Sequence, residues 1–133
     1  MRIVIDTNVL ISSFIGHGTS HKVLEHCVRA HDVITSQFIL DELRTKLTGK
    51  FKYTSATADV AIALLKPRMK IVVPASLPVP VCRDKDDDNI LATAVAGQCE
   101  LIITGDKDLL VLKQLNEIKI IKPAEFAHAE GID

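Results

Sequence analysis

Short apolar runs alternate with helical segments along the whole chain, and this alternation constrains the fold more than any other feature of the sequence. Within each run the β-branched and aliphatic residues are continuous, so the runs predict strands that are buried on both faces of a sheet. Strands that alternate with helices over short turns predict a three-layer α/β/α domain with a central, mostly parallel five-stranded sheet. The predicted strands cover residues 2–5, 32–35, 71–73, 101–104 and 118–121.

Length and apolar content predict how many such units the chain holds. The 133 residues, 47% of them apolar, suffice for one hydrophobic core, so we expect a single domain over residues 1–133. No apolar stretch approaches the ~20 residues that span a bilayer, and the N-terminus does not resemble a secretion signal. Cys27, Cys82 and Cys99 fit neither a disulfide framework nor a zinc or redox motif. These features predict a cytoplasmic protein with reduced thiols.

The charge of the chain limits how it could bind nucleic acid. A net charge of −1 and a pI near 6.5 provide no global basic field, so binding would need a local basic patch or a bound cation. One Tyr, four Phe and no Trp leave few aromatic rings that could stack on the bases of a single strand. A passive single-strand binding module is therefore disfavoured.

Acidic residues fall where the predicted strands end. Asp6 directly follows the first strand, Asp106 follows the strand that ends at Thr104, and Asp88 opens the helix that leads into that strand. Because ligands of open parallel sheets bind beyond the carboxyl ends of the strands, these carboxylates should converge. Converging carboxylates repel one another unless a cation neutralises them, and an oxygen-only ligand set favours Mg²⁺ or Mn²⁺ over Zn²⁺. Such ions support hydrolysis of phosphodiesters.

A fourth acid, Glu42, lies about 1.5 turns into a helix that begins near Ser36, and this spacing leaves open whether it faces the other three. The blocks around all four acids resemble, in order, the PIN-domain family, and specifically the short bacterial VapC-like toxin components of toxin–antitoxin pairs. The blocks are DTNVLISSFIG at 6–16, SQFILDELRTKL at 36–47, RDKDDDNILATAVAG at 83–97, ITGDKDLL at 103–110 and KPAEF at 122–126. The resemblance is weak only between about residues 51 and 81.

The resemblance implies a PIN-like fold and a divalent-metal-dependent endoribonuclease activity. It implies that four acids bind the metal and carry catalysis: Asp6, Glu42, Asp88 and Asp106. Asn8 corresponds to a polar residue that supports the first acid. A toxin role, RNA as the substrate, an antitoxin as the partner protein and a homodimer are implied by the resemblance alone.

Other polar residues near these acids have two interpretations each. Thr104 could position water or phosphate, or it could be a strand threonine without a role. Asp87 could be a secondary metal ligand, or it could belong with Asp84 and Asp86 to a solvated charge run that opens a helix. Asp108 could assist the site through water, or it could favour a helix start.

Two basic residues and two histidines can also be interpreted either as functional residues or as surface residues. Arg44 and Lys46 lie close to Glu42 and could neutralise RNA phosphates, although a solvated helix face explains them as well. His17 and His21 are spaced like two metal ligands, but no third ligand accompanies them in the sequence. We therefore interpret both histidines as surface residues.

Three competing hypotheses remain for the acids and for the chain as a whole. Asp6, Asn8 and Asp106 are good helix N-caps, although a cap does not need to follow a buried strand. A catalytically silent PIN-like module that binds RNA or protein would keep the fold and the acids without turnover. An aspartyl-phosphate enzyme would need a second acid two residues after Asp6, where Asn8 stands, and this disfavours it.

Overall fold

Strands and helices follow one another in the order that the sequence pattern predicts. A computed structural model describes residues 1–16 and 18–132. Its strands are β1 (Arg2–Ile5), β2 (Asp32–Thr35), β3 (Lys70–Ile71), β4 (Leu101–Ile103), β5 (Gln114–Leu115) and β6 (Ile118–Ile121). Its helices are α1 (Thr7–Ile15), α2 (Thr19–Ala30), α3 (Gln37–Gly49), α4 (Ser55–Leu65), α5 (Lys85–Ala96), α6 (Lys107–Leu110) and α7 (Pro123–Glu130), with a 3-10 turn at Lys66–Arg68.

The strands form one sheet in the order β3-β2-β1-β4-β6-β5. The first five strands of this order are parallel neighbours, and β5 pairs with β6 in the antiparallel sense at the edge. The α/β fold class and the mostly parallel sheet are thus confirmed. Consecutive residues of β1 from Ile3 to Ile5 are at most 2% exposed. Because neighbouring strand residues point to opposite faces, both faces of the sheet are covered.

One strand was not predicted. The sequence pattern from Asp106 to about Leu115 predicts one helix, but α6 ends at Leu110 and the chain then forms β5, which makes the sheet six-stranded rather than five-stranded. Leu115 pairs with Ile118 across a tight turn in which Asn116 has a φ of 53°. Asn adopts this left-handed conformation at low cost, so a hairpin replaces the last turns of the expected helix.

The strand order reverses at the centre of the sheet, between β1 and β4. From β1 the chain moves outward through β2 and β3, returns to β4 on the other side of β1, and continues to β6. Ile5 of β1 is in register with Ile103 of β4, and the Asp6 N–H donates to the Ile103 carbonyl at 2.9 Å. The carboxyl ends of β1 and β4 therefore lie side by side at the position where open α/β sheets bind their ligands.

Local signals explain where the helices begin. The Ser36 hydroxyl accepts from the Ile39 N–H at the start of α3, as expected of an N-cap, and Asp84 accepts from the Asp86 N–H at the start of α5. The buried residues of α3 are Ile39, Leu40, Leu43 and Leu47, whereas Phe38 is 40% exposed. No helix among the described residues is long and apolar enough to cross a membrane.

Candidate metal centre

A small cavity at the carboxyl ends of β1 and β4 is lined almost entirely by polar side chains. Its volume is about 60 Å³, and we call it the acidic pocket. Larger concave surfaces exist, such as one of about 480 Å³ against α7, but the acidic pocket is distinguished by its chemistry rather than by its size. The acidic pocket is lined by Asp6, Asn8, Glu42, Lys46, Asp84, Asp86, Asp87, Ile90 and Asp106.

Asp6 contributes a buried carboxylate to this pocket. It stands at the N-cap position of α1 and is 6% exposed, and its Oδ2 accepts a hydrogen bond of 2.5 Å from the Thr104 hydroxyl. Burial raises the pKa of Asp6, and the Thr104 hydroxyl partly offsets this effect. The contact with Thr104 directs the carboxylate across to β4, so helix capping alone does not explain this residue.

Asp106 both caps a helix and lines the pocket. Its Oδ1 accepts from the N–H groups of Asp108 at 2.8 Å and of Leu109 at 3.4 Å, which fixes the start of α6. Its own N–H donates to the Thr104 hydroxyl oxygen at 3.0 Å. The capping interpretation is thus correct for Asp106, and it coexists with a place in the acidic pocket. The Thr104 hydroxyl therefore links the Asp6 carboxylate to the backbone of Asp106.

Glu42 reaches the pocket from α3, so the structure brings it together with Asp6 and Asp106. Its side chain is 15% exposed, and the Lys46 ammonium lies 3.9 Å from its Oε1. Burial raises the pKa of Glu42, and the neighbouring Asp86 carboxyl raises it further. Helix α3 therefore presents this acid inward, which the residue spacing alone left undecided.

Asp88, which we expected as the third acid, does not line the acidic pocket. Its carboxylate accepts from the N–H groups of Cys82 at 2.8 Å and of Val81 at 3.2 Å, so it anchors the proline-containing segment before α5. Asp87 lines the pocket instead and is 8% exposed. Successive helix residues point about 100° apart, so a shift of one position exchanges a pocket carboxylate for a structural one.

The electrostatics around Asp87 indicate uncompensated negative charge. Burial raises its pKa to about 7, helped by the negative charges of Asp106, Asp84, Asp6 and Asp108. One carboxylate oxygen from each of Asp87, Asp106 and Asp108 lies within 4.8 Å of the other two. Such a group of hard oxygen atoms, drawn together at a cost in repulsion, fits a divalent cation of the Mg²⁺ type.

The supporting residues divide into those that reach the pocket and those that do not. Asn8 and Lys46 both line it, with Lys46 Nζ 3.0 Å from Asn8 Oδ1. Arg44 turns away, since its Nε donates to Asp59 on α4 at 2.8 Å. Of the expected basic pair, only Lys46 is positioned beside the acids.

Sequence reasoning missed two contributions to the pocket rim. Arg83 is an exposed cation whose guanidinium donates to both oxygens of Asp108, at 2.8 Å and 2.9 Å. Asp84 and Asp86, expected in a solvated charge run, line the pocket from the first residues of α5. The signal for Arg83 was its position at the head of the block that carries these acids.

Of the two histidines interpreted as surface residues, His21 is exposed and His17 lies outside the described residues.

Comparison with solved structures finds proteins of the same fold. One is a chain from the crystal structure of VapBC2 from Rickettsia felis bound to a DNA fragment from the VapBC2 promoter. It aligns with a TM-score of 0.65 and 15% identity over 92% of this chain and 98% of that chain. A chain of VapBC-1 from nontypeable Haemophilus influenzae aligns with a TM-score of 0.64 and 17% identity, over 93% of this chain and 99% of that chain. At these identities the likeness is one of fold.

Comparison with sequences identifies the family. An uncharacterized protein of Methanocaldococcus jannaschii is 31% identical over 139 aligned positions, which cover 95% of this chain and 89% of that protein. Residues 2–108 match the family profile of the PIN domain, a span that includes every residue of the acidic pocket. The chain therefore belongs to the PIN-domain family.

Proposed function

We propose that this PIN domain is a divalent-metal-dependent endoribonuclease whose metal ligands come from Asp6, Glu42, Asp87 and Asp106. The observation that carries the proposal is the acidic pocket itself, where these carboxylates meet in a cavity of about 60 Å³. Desolvation and mutual repulsion raise the pKa of Asp6, Glu42 and Asp87, and such clustered, raised carboxyl pKa values are typical of functional sites.

The donor set favours a hard cation. All the ligand atoms that the pocket offers close to one another are oxygens, so Mg²⁺ or Mn²⁺ suits it better than Zn²⁺. A divalent ion bound there would supply a lowered pKa for an attacking water and positive charge to stabilise the phosphodiester during hydrolysis. Asp108, held at the rim by Arg83, lies close enough to Asp87 and Asp106 to complete the ligand set.

Other residues in and beside the pocket orient the carboxylates or bind the RNA backbone. Thr104 holds the Asp6 carboxylate in one orientation, and Asn8 holds the Lys46 ammonium beside Glu42. A lysine at the edge of an acidic pocket can attract a phosphate without competing for the metal, which suits a backbone-directed contact with RNA. Hydrolysis through an activated water needs no protein nucleophile, in keeping with the carboxylate-rich lining of the pocket.

The biological role that we propose is that of a toxin paired with an antitoxin protein. The fold likeness to chains of VapBC2 and VapBC-1 and the VapC-like sequence blocks support this role. Induced expression in Escherichia coli should arrest growth, and Asp6→Asn should relieve the arrest at an equal protein level. A homodimer is a further proposal, which the molar mass from light scattering tests directly.

The decisive experiment is cleavage of a mixed pool of single-stranded and structured RNA by the purified protein, with Mg²⁺, with Mn²⁺ and with EDTA. Asp6→Asn should abolish the metal-dependent cleavage while far-UV circular dichroism stays unchanged. Asp32→Asn is the matched control, because Asp32 pairs with Lys70 at the amino end of β2, far from the acidic pocket. Failure of the folded wild-type protein to cleave RNA with either metal would favour the silent binding module.

A further inference from the structure

A second cluster of metal-ligating side chains lies at the opposite edge of the sheet. His26 is on α2, His31 follows the end of α2, and Glu130 is the last residue of α7. The Nε2 atoms of both histidines contact the same atom, Glu130 Oε1, with a distance of 3.1 Å for His26. The ring centroids of the two histidines are 5.5 Å apart, so two imidazoles and one carboxylate converge on one point.

This cluster is separate from the acidic pocket. The amino group of Met1 lies 2.9 Å from His31 Nδ1, which puts the cluster beside the amino end of β1, whereas Asp6 follows its carboxyl end. Four strand residues span about 13 Å at ~3.3 Å each, so no side chain can serve both places. Any ligand of this cluster would bind independently of the proposed nuclease centre.

The ligand atoms suit a different class of metal. One ligand atom from each of His26, His31 and Glu130 lies within 4.8 Å of the other two. Two imidazole nitrogens and one carboxylate oxygen form a set that Zn²⁺ uses with water as the fourth ligand, while Mg²⁺ prefers oxygen alone. We propose that His26, His31 and Glu130 form a binding site for Zn²⁺ or a similar transition-metal dication, which would connect α7 to α2.

The surroundings of the cluster hold the ligands in place. Phe126 packs edge-on against both imidazoles, with centroid distances of 6.1 Å to His26 and 6.0 Å to His31. The side chains of the three ligands are 13–26% exposed, so they are largely desolvated yet open to an ion from solvent. The Met1 amine lies 2.9 Å from His31 Nδ1 and helps to hold that ring, whereas His26 Nδ1 is buried without a hydrogen-bond partner among the described residues.

Metal binding would compete with the hydrogen bonds inside the cluster. Both imidazole Nε2 atoms contact Glu130 Oε1. Coordination through Nε2 requires that nitrogen to be unprotonated, so a metal ion would replace these hydrogen bonds rather than add to them. The competing explanation is a hydrogen-bonded network that stabilises α7 and has no affinity for metal.

Zinc titration of the untagged full chain distinguishes the two explanations. The titration is made on Asp87→Asn, which weakens the acidic pocket, and the contribution of the histidine cluster is obtained from the difference between this protein and the cluster variants. We expect one Zn²⁺ per chain, and we expect His31→Gln or Glu130→Gln in the same background to weaken binding by about 100-fold. His128→Gln is the matched control, since His128 is an exposed histidine on α7 outside the cluster.

Imidazole nitrogen resonances give a second readout that does not depend on activity. On addition of Zn²⁺, the Nε2 resonances of His26 and His31 should shift, and those of His128 should not. Zinc binding that persists in both cluster variants, or no binding tighter than millimolar in Asp87→Asn, overturns the proposal and leaves the hydrogen-bonded network. The RNA cleavage assay is separate, so failure here leaves the proposed nuclease function untouched.

Discussion

The hydroxyl of Thr104 donates a 2.5 Å hydrogen bond to Asp6 Oδ2 and accepts the Asp106 N–H at 3.0 Å. One buried hydroxyl thus joins the carboxyl end of β1 to that of β4. Ninety-eight residues of chain separate Asp6 from Thr104, so this bond sets the relative position of two acids that local structure alone could not align. In the proposed nuclease, Thr104 is a positioning residue for Asp6.

Replacing Thr104 with Val should therefore impair catalysis more than folding. Valine keeps the shape but removes the donor to Asp6, and we expect a loss of about 10-fold in cleavage rate, as for other partners of metal ligands. Thr104→Ser should restore most of the rate. Thr93→Val is the control, because Thr93 is also buried and hydrogen-bonded, but to Ser36 and the Asn89 carbonyl. Equal rates for Thr104→Val and wild type would exclude the positioning role.

Asp87 and Asp88 are adjacent on α5, but their replacement by Asn should affect RNA cleavage very differently. Asp87→Asn removes a pocket carboxylate and should abolish metal-dependent cleavage, with the fold intact. Asp88→Asn keeps an oxygen that accepts the Val81 and Cys82 N–H groups, so cleavage should persist within a few-fold of wild type. Cleavage rates and calorimetric Mg²⁺ binding of the two variants provide the measurement. The reverse pattern would restore Asp88 as the third metal ligand.

Stability of the metal-free protein should fall as pH rises from about 4 to about 7. The folded state holds the Asp87 proton up to a pKa of about 7, whereas the unfolded chain releases it near the ordinary aspartate pKa of 3.8. Between these values the folded state binds more protons, so raising the pH lowers the free energy of unfolding. After allowance for screening at the open side of the pocket, we expect a difference of about 2 kcal/mol.

Urea unfolding of wild type and Asp87→Asn at several pH values isolates this effect. The variant has no carboxyl to titrate at this position, so the difference in unfolding free energy between the two proteins should grow in favour of the variant from about pH 4 to about pH 7. Mg²⁺ should reduce the difference by stabilising the wild type alone. A difference that does not change with pH would contradict the raised pKa of Asp87.

Lys46 should contribute to RNA binding, and Arg44 should not. Lys46 Nζ lies at the acidic pocket beside Asn8 and Glu42, whereas the Arg44 guanidinium pairs with Asp59. Lys46→Ala should weaken RNA binding and lower the slope of log Kd against log salt by about one, as expected for one lost phosphate contact. Arg44→Ala is the matched control. A salt slope for Lys46→Ala equal to that of the wild type would mean that Lys46 contacts no phosphate.

Much of this fold could be predicted because its signals are local. Apolar runs and N-caps such as Ser36 depend on residues close in sequence, and so does the position of Asp6 at the end of a strand. The choice between Asp87 and Asp88 depends on the rotation of α5 against the sheet, which no spacing rule sets. The strand β5 depends on Asn116 closing a tight hairpin against β6, and this local pairing of residues 114–115 with 118–119 outweighed the helical pattern before it.

Gly97 is a further residue whose role could not be predicted from the sequence. A glycine at this position indicates the end of a helix but not the close packing around it. A Cβ added there would lie 2.6 Å from Ile34 Cγ2 and 3.1 Å from Cys99 Sγ. Ile34 is fully buried in β2 and cannot retreat, so Gly97→Ala should cost about 1–3 kcal/mol in urea unfolding. Gly49→Ala, at the end of α3, has open space around the added methyl group and should be neutral or stabilising. If both variants unfold at the same urea concentration, α5 does not pack against β2 as closely as the structure has it.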